Sequence, residues 1–357
     1  MVYENKDPLH EYVWSQIPKL KTISTKSLES MFEDFHPDDL VRNSQMSAEE
    51  LTDTFRLSFI TESLTEQYAE TFHKGAHIHE AQWLSDYITG FWEPDEKGHA
   101  DPFRNVLTDF GIDKRKLEIE VELANEQTNY SSKHGSGLHP ISLTTYGLIQ
   151  ECITDYWYEL QRSFFPSKSY TAKAIGQVKG REALHTVQFK TLTAIQLEQD
   201  PLLLELIIQT IKNFQMPANH IPTVSSIEHR TQSWIPHMNG SIYELLKRIL
   251  SNIYAVLQDK GLFGKILLEY ASESEQRILA RFPNEVISRA ISSMRGGPGF
   301  VGELILEDLG IISSELQAPK TNFENLQFKF KQIVKRWASE RLQLENFLPS
   351  TSPLKPS

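Results

Sequence analysis

Two Glu-x-x-His units constrain this chain more than any other feature of its sequence. They are Glu96-x-x-His99 and Glu182-x-x-His185, and the apolar residues around each recur at helical spacing. Residues three apart on a helix share one face, so the Glu and His of each unit can reach the same ion. One such unit arises easily by chance, but two on apolar stripes favour a metal site formed by helices.

A single glutamate precedes each unit on another predicted helix. Glu62 follows Phe55 and Phe59 on one apolar face, and Glu151 lies in a separate helical segment. The chain order is therefore Glu, Glu-x-x-His, Glu, Glu-x-x-His over four consecutive helices. Helical bundles that hold two iron or two manganese ions use this ligand set. The predicted metal ligands are Glu62, Glu96, His99, Glu151, Glu182 and His185.

Four carboxylates inside an apolar core need positive charge beside them. A buried carboxylate without a partner costs several kcal/mol or takes up a proton. Two divalent cations would balance four carboxylates and leave both imidazoles neutral, which favours a dinuclear centre. Oxygen and imidazole ligands without sulfur suit iron or manganese, and the ligand type does not exclude zinc.

The periodicity predicts an all-α chain. Ser47-x-x-Glu50 has the pattern of a capping box, and helical spacing continues behind it to Phe72. Further helices are predicted at about 80–110, 142–163, 166–198, 201–214, 240–257, 260–280, 283–294 and 322–346. The segment 114–139 is polar and is expected to be an irregular connection. We expect a single helical domain over 1–357, with a four-helix bundle core at about 47–215, accessory helices at about 216–347 and a disordered tail at about 348–357.

Composition disfavours several classes of protein. No run of eighteen apolar residues occurs, so no membrane span is expected. The net charge of -11 disfavours a nucleic-acid-binding protein. The start of the chain lacks a basic segment followed by an apolar one, and Cys152 is the single cysteine, so a reducing cytoplasm is the expected location. Any metal must therefore be held by His, Asp and Glu.

The sequence around the candidate ligands resembles the soluble acyl-acyl-carrier-protein desaturases, which are ferritin-like di-iron enzymes. The segments that carry the resemblance are Ile60-Thr61-Glu62, Trp92 to His99, Gln150 to Thr154, the second Glu-x-x-His unit, and Met216-Pro217-Ala218 followed by His220. Recognisable motifs cover roughly residues 30 to 225. The resemblance implies a ferritin-like four-helix bundle core with additional helices packed around it.

The resemblance also implies an activity. It implies two Fe ions held by the six predicted ligands, with Thr154 as a hydroxyl beside the oxygen site and Trp92 near an iron-bound histidine. The family inserts a cis double bond into a saturated acyl chain carried on acyl carrier protein. It uses dioxygen and electrons from ferredoxin, and its members are homodimers. The alternatives are a di-iron oxygenase or hydroxylase acting on an acyl-derived or amine substrate, and a non-catalytic role such as iron storage.

Several positions depart from the family pattern. Arg181 stands where the family has an acidic residue before the second unit, although Asp95 keeps an acidic residue before the first. Pro94 and Pro102 flank the first unit and predict either a fresh helical turn or a bend there. Phe35 replaces a tryptophan. Arg181 and the flanking prolines motivate the hydroxylase alternative.

Other residues have ordinary interpretations. His73, His77 and His79 form a second histidine cluster, which is typical of a solvent-facing helix junction at Gly75. Tyr156 is near Glu151 in sequence, but its helical position turns it away from the predicted ligands. The basic segments 114–116 and 329–341, and Lys212, would suit an acidic carrier protein, although a solvated helix face explains the two segments more simply.

Overall fold

The computed structural model describes residues 7–23, 35–128, 137–224 and 234–257. These residues form helices and loops with no strand among them, so the all-α prediction is confirmed for this part of the chain. They belong to one compact unit that covers Met1–Gln258. None of the described helices has both the length and the apolar character needed to cross a bilayer. The helices predicted beyond 258 and the tail lie outside the described residues, and the single-domain assignment stays a prediction.

The α-helices are α1 (Pro8–Gln16), α2 (Pro37–Asn43), α3 (Ala48–Glu62), α4 (Thr65–Ile78), α5 (Gln82–Tyr87), α6 (Glu93–Glu96), α7 (Ala100–Asp109), α8 (Lys114–Gln127), α9 (Pro140–Arg162), α10 (Tyr170–Gln199), α11 (Leu204–Asn213) and α12 (Ile242–Val256). Helix α1 has no counterpart in the sequence prediction. Its Asp7 cap accepts a hydrogen bond from the Leu9 backbone N–H, and Leu9 and Val13 are buried. The helix packs against α5 and α10.

Helix α3 begins with the predicted capping box. The Ser47 hydroxyl accepts a hydrogen bond from the Glu50 backbone N–H, and the Glu50 carboxylate accepts one from the Ser47 backbone N–H. The helix ends at Glu62, whereas the spacing predicted that it would continue. Ser63 closes the last turn, and α4 starts two residues later. Glu62 therefore lies at the carboxyl end of a helix.

The helix predicted at 80–110 is interrupted. Residues Ile88–Trp92 form a π-helical turn between α5 and α6, and a turn at 97–99 separates α6 from α7. Gly98 has a φ of 94°, a left-handed conformation that side-chain-bearing residues adopt only with strain. Glu96 and His99 therefore do not share one continuous helix, and the helical face that was used to pair them is absent.

Pro94 and Pro102 fall in the first turns of α6 and α7, as the fresh-turn alternative predicts, whereas the predicted junction residue Gly75 lies inside a helix. Gly75 lies within α4 and allows a close approach to the start of α9. A Cβ at this position would lie 2.3 Å from the Leu143 side chain and 2.5 Å from the Leu138 carbonyl oxygen. The predicted junction at Gly75 is therefore wrong.

Helices α9 and α10 are the longest described elements and pack along each other. They contain 23 and 30 residues. Gly147 brings them together, because a Cβ there would lie 2.9 Å from the Phe189 ring. Helix α12 packs against both. Since Glu151 and Glu182 lie near the middle of α9 and α10, their side chains are held in a closely packed region.

The segment 114–139 was expected to be an irregular connection, but its first half is a helix. Residues Lys114–Gln127 form α8, and Asp113 caps it by accepting a hydrogen bond from the Lys116 backbone N–H. Leu117 and Ala124 are buried, so this helix has a narrow apolar contact with the rest of the fold. Residues 129–136 of the predicted connection lie outside the described part.

Candidate metal centre

The six predicted ligands converge inside the helices. Two of them end helices, since Glu62 is the last residue of α3 and Glu96 the last of α6. The ligand atoms form two groups in which all lie within 4.8 Å of one another, namely Glu62, Glu96, His99 and Glu182, and Glu96, Glu151, Glu182 and His185. Glu96 and Glu182 belong to both groups. The side chains are almost fully buried; the most exposed of them, Glu62, is 8% exposed.

The two shared glutamates divide their oxygens between the two histidines. His99 Nδ1 lies 2.8 Å from Glu96 Oε2 and 2.8 Å from Glu182 Oε1. His185 Nδ1 lies 2.9 Å from Glu96 Oε1 and 3.7 Å from Glu182 Oε2. Each shared carboxylate therefore presents one oxygen to each histidine, as a carboxylate between two ions does.

Each histidine also has one glutamate that the other lacks. Glu62 Oε2 lies 3.8 Å from His99 Nδ1, and Glu151 Oε2 lies 3.7 Å from His185 Nδ1. The centre thus has two halves, each with one histidine, one glutamate of its own and two shared glutamates. We call them the His99 half and the His185 half.

The donor atoms fit a bound cation. Two ligands that bind one ion at about 2.1 Å and at right angles lie about 3.0 Å apart, close to the short separations seen here. His99 Nδ1, His185 Nδ1 and Glu182 Oε1 are buried and lack any directed hydrogen bond among the described residues, although each lies close to another candidate ligand atom. Buried polar atoms are nearly always hydrogen-bonded or bound to metal. This carboxylate and imidazole cluster can hold a metal ion.

Electrostatics favour the same conclusion. Burial and the charges of Glu182 and Glu96 raise the pKa of Glu62 well above its usual range, and burial with Glu182 does the same for Glu151. Burial opposes charge on His99, yet the carboxylates of Glu96 and Glu182 outweigh it and raise the pKa of this imidazole. Without metal, Glu62, Glu151 and His99 therefore tend to take up protons, and bound cations would supply this positive charge instead.

Asp95, which precedes the first Glu-x-x-His unit, is a hydrogen-bond partner of His185 in the second unit. Its Oδ2 accepts a hydrogen bond from His185 Nε2 at 2.9 Å and one from Arg181 Nε at 2.6 Å. Its Oδ1 accepts from the Lys21 backbone N–H at 2.9 Å. Burial opposes the charge of Asp95, but His185 and Arg181 outweigh it and lower its pKa. Arg181, a departure from the family pattern, is thus the ion-pair partner of the carboxylate that orients His185.

The two further predicted site residues both lie at the centre. Trp92 Nε1 donates a hydrogen bond to Glu151 Oε1 at 3.1 Å, so the indole contacts a predicted ligand through its polar edge. The ring packed edge-on against His185 belongs to Phe91. Thr154 lines a cavity beside the ligands, with its Oγ1 3.5 Å from Glu182 Oε2.

Sequence reasoning missed Tyr158. Its hydroxyl donates a hydrogen bond to Glu62 Oε1, and its ring packs 4.8 Å from the Phe103 ring. The spacing contained a signal, because Tyr158 follows Glu151 by two helical turns and therefore shares its face. Tyr156 points away, as predicted, and its hydroxyl bonds with the Ser241 backbone.

The cavity beside the ligands is small. Its free space is about 10 Å³, room for about one water molecule. It is lined by Thr61, Glu62, Thr65, Tyr68, Trp92, Glu96, Gln150, Glu151, Thr154 and Glu182. The lining is mostly polar, so this space suits a small polar molecule better than an alkyl chain.

The remaining candidates lie away from the centre. His77 and His79 are exposed, and His73 Nδ1 lies 3.2 Å from Ser85 Oγ. Cys152 is buried and faces α12, with the Asn252 amide 3.6 Å from its sulfur. The basic start of α8 is partly neutralised, since Arg115 pairs with Glu118. The side chain of Lys212 and the segment 329–341 are outside the described part.

No protein-family model matches the chain, and no curated protein matches it. The centre and the sequence motifs around it are therefore the features that bear on function.

Proposed function

We propose that the protein is a dinuclear iron oxidoreductase that uses dioxygen to insert a cis double bond into a saturated acyl chain carried on acyl carrier protein. The observation that supports this most is the division of the Glu96 and Glu182 oxygens between His99 and His185. A single ion needs no such arrangement, whereas two ions a few ångströms apart do.

A ferritin-like bundle is part of this proposal. Helices α3, α6 with the following turn, α9 and α10 supply Glu, Glu-x-x-His, Glu and Glu-x-x-His in chain order. Ferritin-like di-iron proteins take their ligands from four helices in this way. The π-helical turn before α6 is a further point in favour, since such turns occur frequently at functional sites.

The protein's own residues would prepare the centre for this chemistry. When bound, two irons would supply reversible electron transfer and a position for dioxygen. Tyr158 and Trp92 would hold Glu62 and Glu151 by hydrogen bonds, and Asp95 would hold His185. The Thr154 hydroxyl would lie beside the small cavity. Electrons would come from ferredoxin, and the protein would act as a homodimer.

The polar lining of the cavity is compatible with an alternative reaction, the insertion of oxygen. A di-iron oxygenase or hydroxylase acting on an acyl-derived or amine substrate would suit a cavity lined by Thr61, Gln150 and Thr154. An acyl chain would require these side chains to move or another part of the chain to contribute. The products separate the two reactions, because desaturation removes two hydrogens and hydroxylation adds one oxygen.

The test is a product analysis. Protein reconstituted anaerobically with Fe(II) is mixed with a saturated acyl-carrier-protein substrate, reduced ferredoxin and dioxygen, and the released fatty acid is analysed by mass spectrometry. Desaturation predicts an acid lighter by two hydrogens, formed by wild type and by the Glu66→Gln surface control but not by Glu182→Gln. An acid heavier by one oxygen supports the alternative. Bound iron with no dioxygen consumption with any acyl or amine substrate contradicts both.

A further inference from the structure

The two halves of the centre differ in how their histidines are held. The outer nitrogen of His185, Nε2, lies 2.9 Å from Asp95 Oδ2. The outer nitrogen of His99 is buried and has no hydrogen-bond partner among the described residues. Both rings are fully buried, so bulk solvent does not compensate for the missing acceptor.

The acceptor for His185 is itself held firmly. The Asp95 side chain is fully buried and pairs with the Arg181 guanidinium through both carboxylate oxygens. Lys21 donates its backbone N–H to the same carboxylate, and Arg181 donates to the Lys19 carbonyl oxygen at 3.1 Å. Asp95 therefore has little freedom to turn away from His185.

An acceptor on the outer nitrogen of a ligand histidine has two effects. It keeps the proton on Nε2, which leaves the Nδ1 lone pair free for the ion, and it fixes the plane of the ring. Loss of such an acceptor lowers metal affinity by about 10–100-fold. Since His185 has this acceptor and His99 has none in the part of the chain that the structure describes, the same difference is expected between the two halves.

We propose that the two halves bind divalent transition metal unequally, and that Asp95 and Arg181 are the positioning residues that make the His185 half the tight one. The first ion fills the His185 half, and the second binds the His99 half about 10–100-fold more weakly. This proposal rests on the dinuclear centre of the proposed function. It concerns metal binding alone, so it holds whichever reaction the centre performs.

The test is an anaerobic titration of the full-length, metal-free protein with Co(II), followed by calorimetry and by visible absorption. Wild type is expected to bind two ions in two resolved steps whose Kd values differ by about 10–100-fold. Two equal steps, or one step of two ions, would overturn the proposal and leave the dinuclear centre intact. Absence of any bound metal would remove the centre and the proposal together.

Variants assign the tight step to Asp95. Asp95→Leu removes the acceptor and is expected to weaken the first step by about 10–100-fold without changing the second. Asp95→Asn keeps an acceptor oxygen and is expected to restore part of the loss. Equal weakening of both steps by Asp95→Leu would contradict the assignment.

Arg181→Met tests the role of the guanidinium. If Arg181 holds Asp95 in place, this variant weakens the first binding step. Tighter binding would contradict that role and would mean that Arg181 only neutralises the negative charge of the Asp95 carboxylate. The matched control is Arg248→Met, since Arg248 also pairs with acidic residues but lies on α12 and contacts Glu159 of α9. It is expected to leave both steps unchanged.

Discussion

Ferrous iron is expected to raise the melting temperature of this protein through both halves of the centre. An ion that binds only the folded state contributes about 2.7 kcal/mol when it is present at about 100 times its Kd, which we take for the weaker His99 half. At the same Fe(II) concentration the His185 half, bound about 10–100-fold more tightly, contributes about 4–5 kcal/mol, so two ions contribute about 7–8 kcal/mol. For a folded unit of this size each kcal/mol shifts Tm by about 2–4 °C, which gives a rise of about 15–30 °C. Scanning fluorimetry of metal-free protein, with and without anaerobic Fe(II), measures the rise.

The geometry predicts how much of this rise each glutamate controls. Glu62 belongs to the His99 half alone, and this half is the weaker one, so Glu62→Gln is expected to lose about a third of the metal-induced rise. Glu182 belongs to both halves, so Glu182→Gln is expected to lose most of it. Glu66→Gln, an exposed change on α4, is the matched control and keeps the full rise. Equal losses in the first two variants would refute the shared role of Glu182.

Glu62→Gln is not expected to lower Tm when metal is absent. Burial and the neighbouring carboxylates raise the folded-state pKa of Glu62 above the usual value of 4.5, so its contribution to stability is lost as the pH rises. At pH 8 metal-free Glu62→Gln is therefore expected to melt no lower than metal-free wild type, because a neutral amide avoids the buried charge. A clear decrease in Tm would mean that Glu62 is a structural residue rather than a ligand.

Three other changes test the surroundings of the centre. Gly98→Ala places a methyl group 2.5 Å from the Ile23 carbonyl oxygen at a φ of 94°. Chemical denaturation is expected to show a free energy of unfolding lower by about 2 kcal/mol or more. The control Gly180→Ala, which meets no atom within 4 Å, should leave this free energy unchanged. Trp92→Phe removes the indole donor to a ligand carboxylate, and Co(II) titration is expected to show affinity reduced by about 10-fold; unchanged affinity would contradict this role. Burial raises the pKa of the Cys152 thiol to about 11. Alkylation of Cys152 at pH 8 should therefore be about 100-fold slower than that of free cysteine and should accelerate towards pH 11. Fast labelling of the folded protein would contradict the buried position of this thiol.

The residues of the centre were predictable from the sequence where one regular helix carries them. Glu182 and His185 lie on the apolar stripe of α10, and three-residue spacing was sufficient to pair them. Glu96 and His99 converge as expected but not for the expected reason, since a turn at Gly98 separates their helices. The order of residue types in the chain was therefore more informative than the local geometry inferred from it.

What could not be predicted depends on contacts between elements. Asp95 stands beside Glu96 in the sequence, yet it accepts a hydrogen bond from His185, 90 residues later. The Tyr158 contact with Glu62 likewise joins α9 to the end of α3. The π-helical turn at Ile88–Trp92 inserts a residue into a helix without any sequence signal of its own. Each of these features follows from packing in the folded protein.

The measurement that tests the account most directly is iron bound per chain at equilibrium. Metal-free protein is dialysed anaerobically against Fe(II), and the bound iron is counted by elemental mass spectrometry. We predict about two irons per chain for wild type and a large loss for Glu182→Gln, with Glu66→Gln unchanged. Wild type that binds no iron, or Glu182→Gln that retains two, would contradict a dinuclear centre bridged by this glutamate.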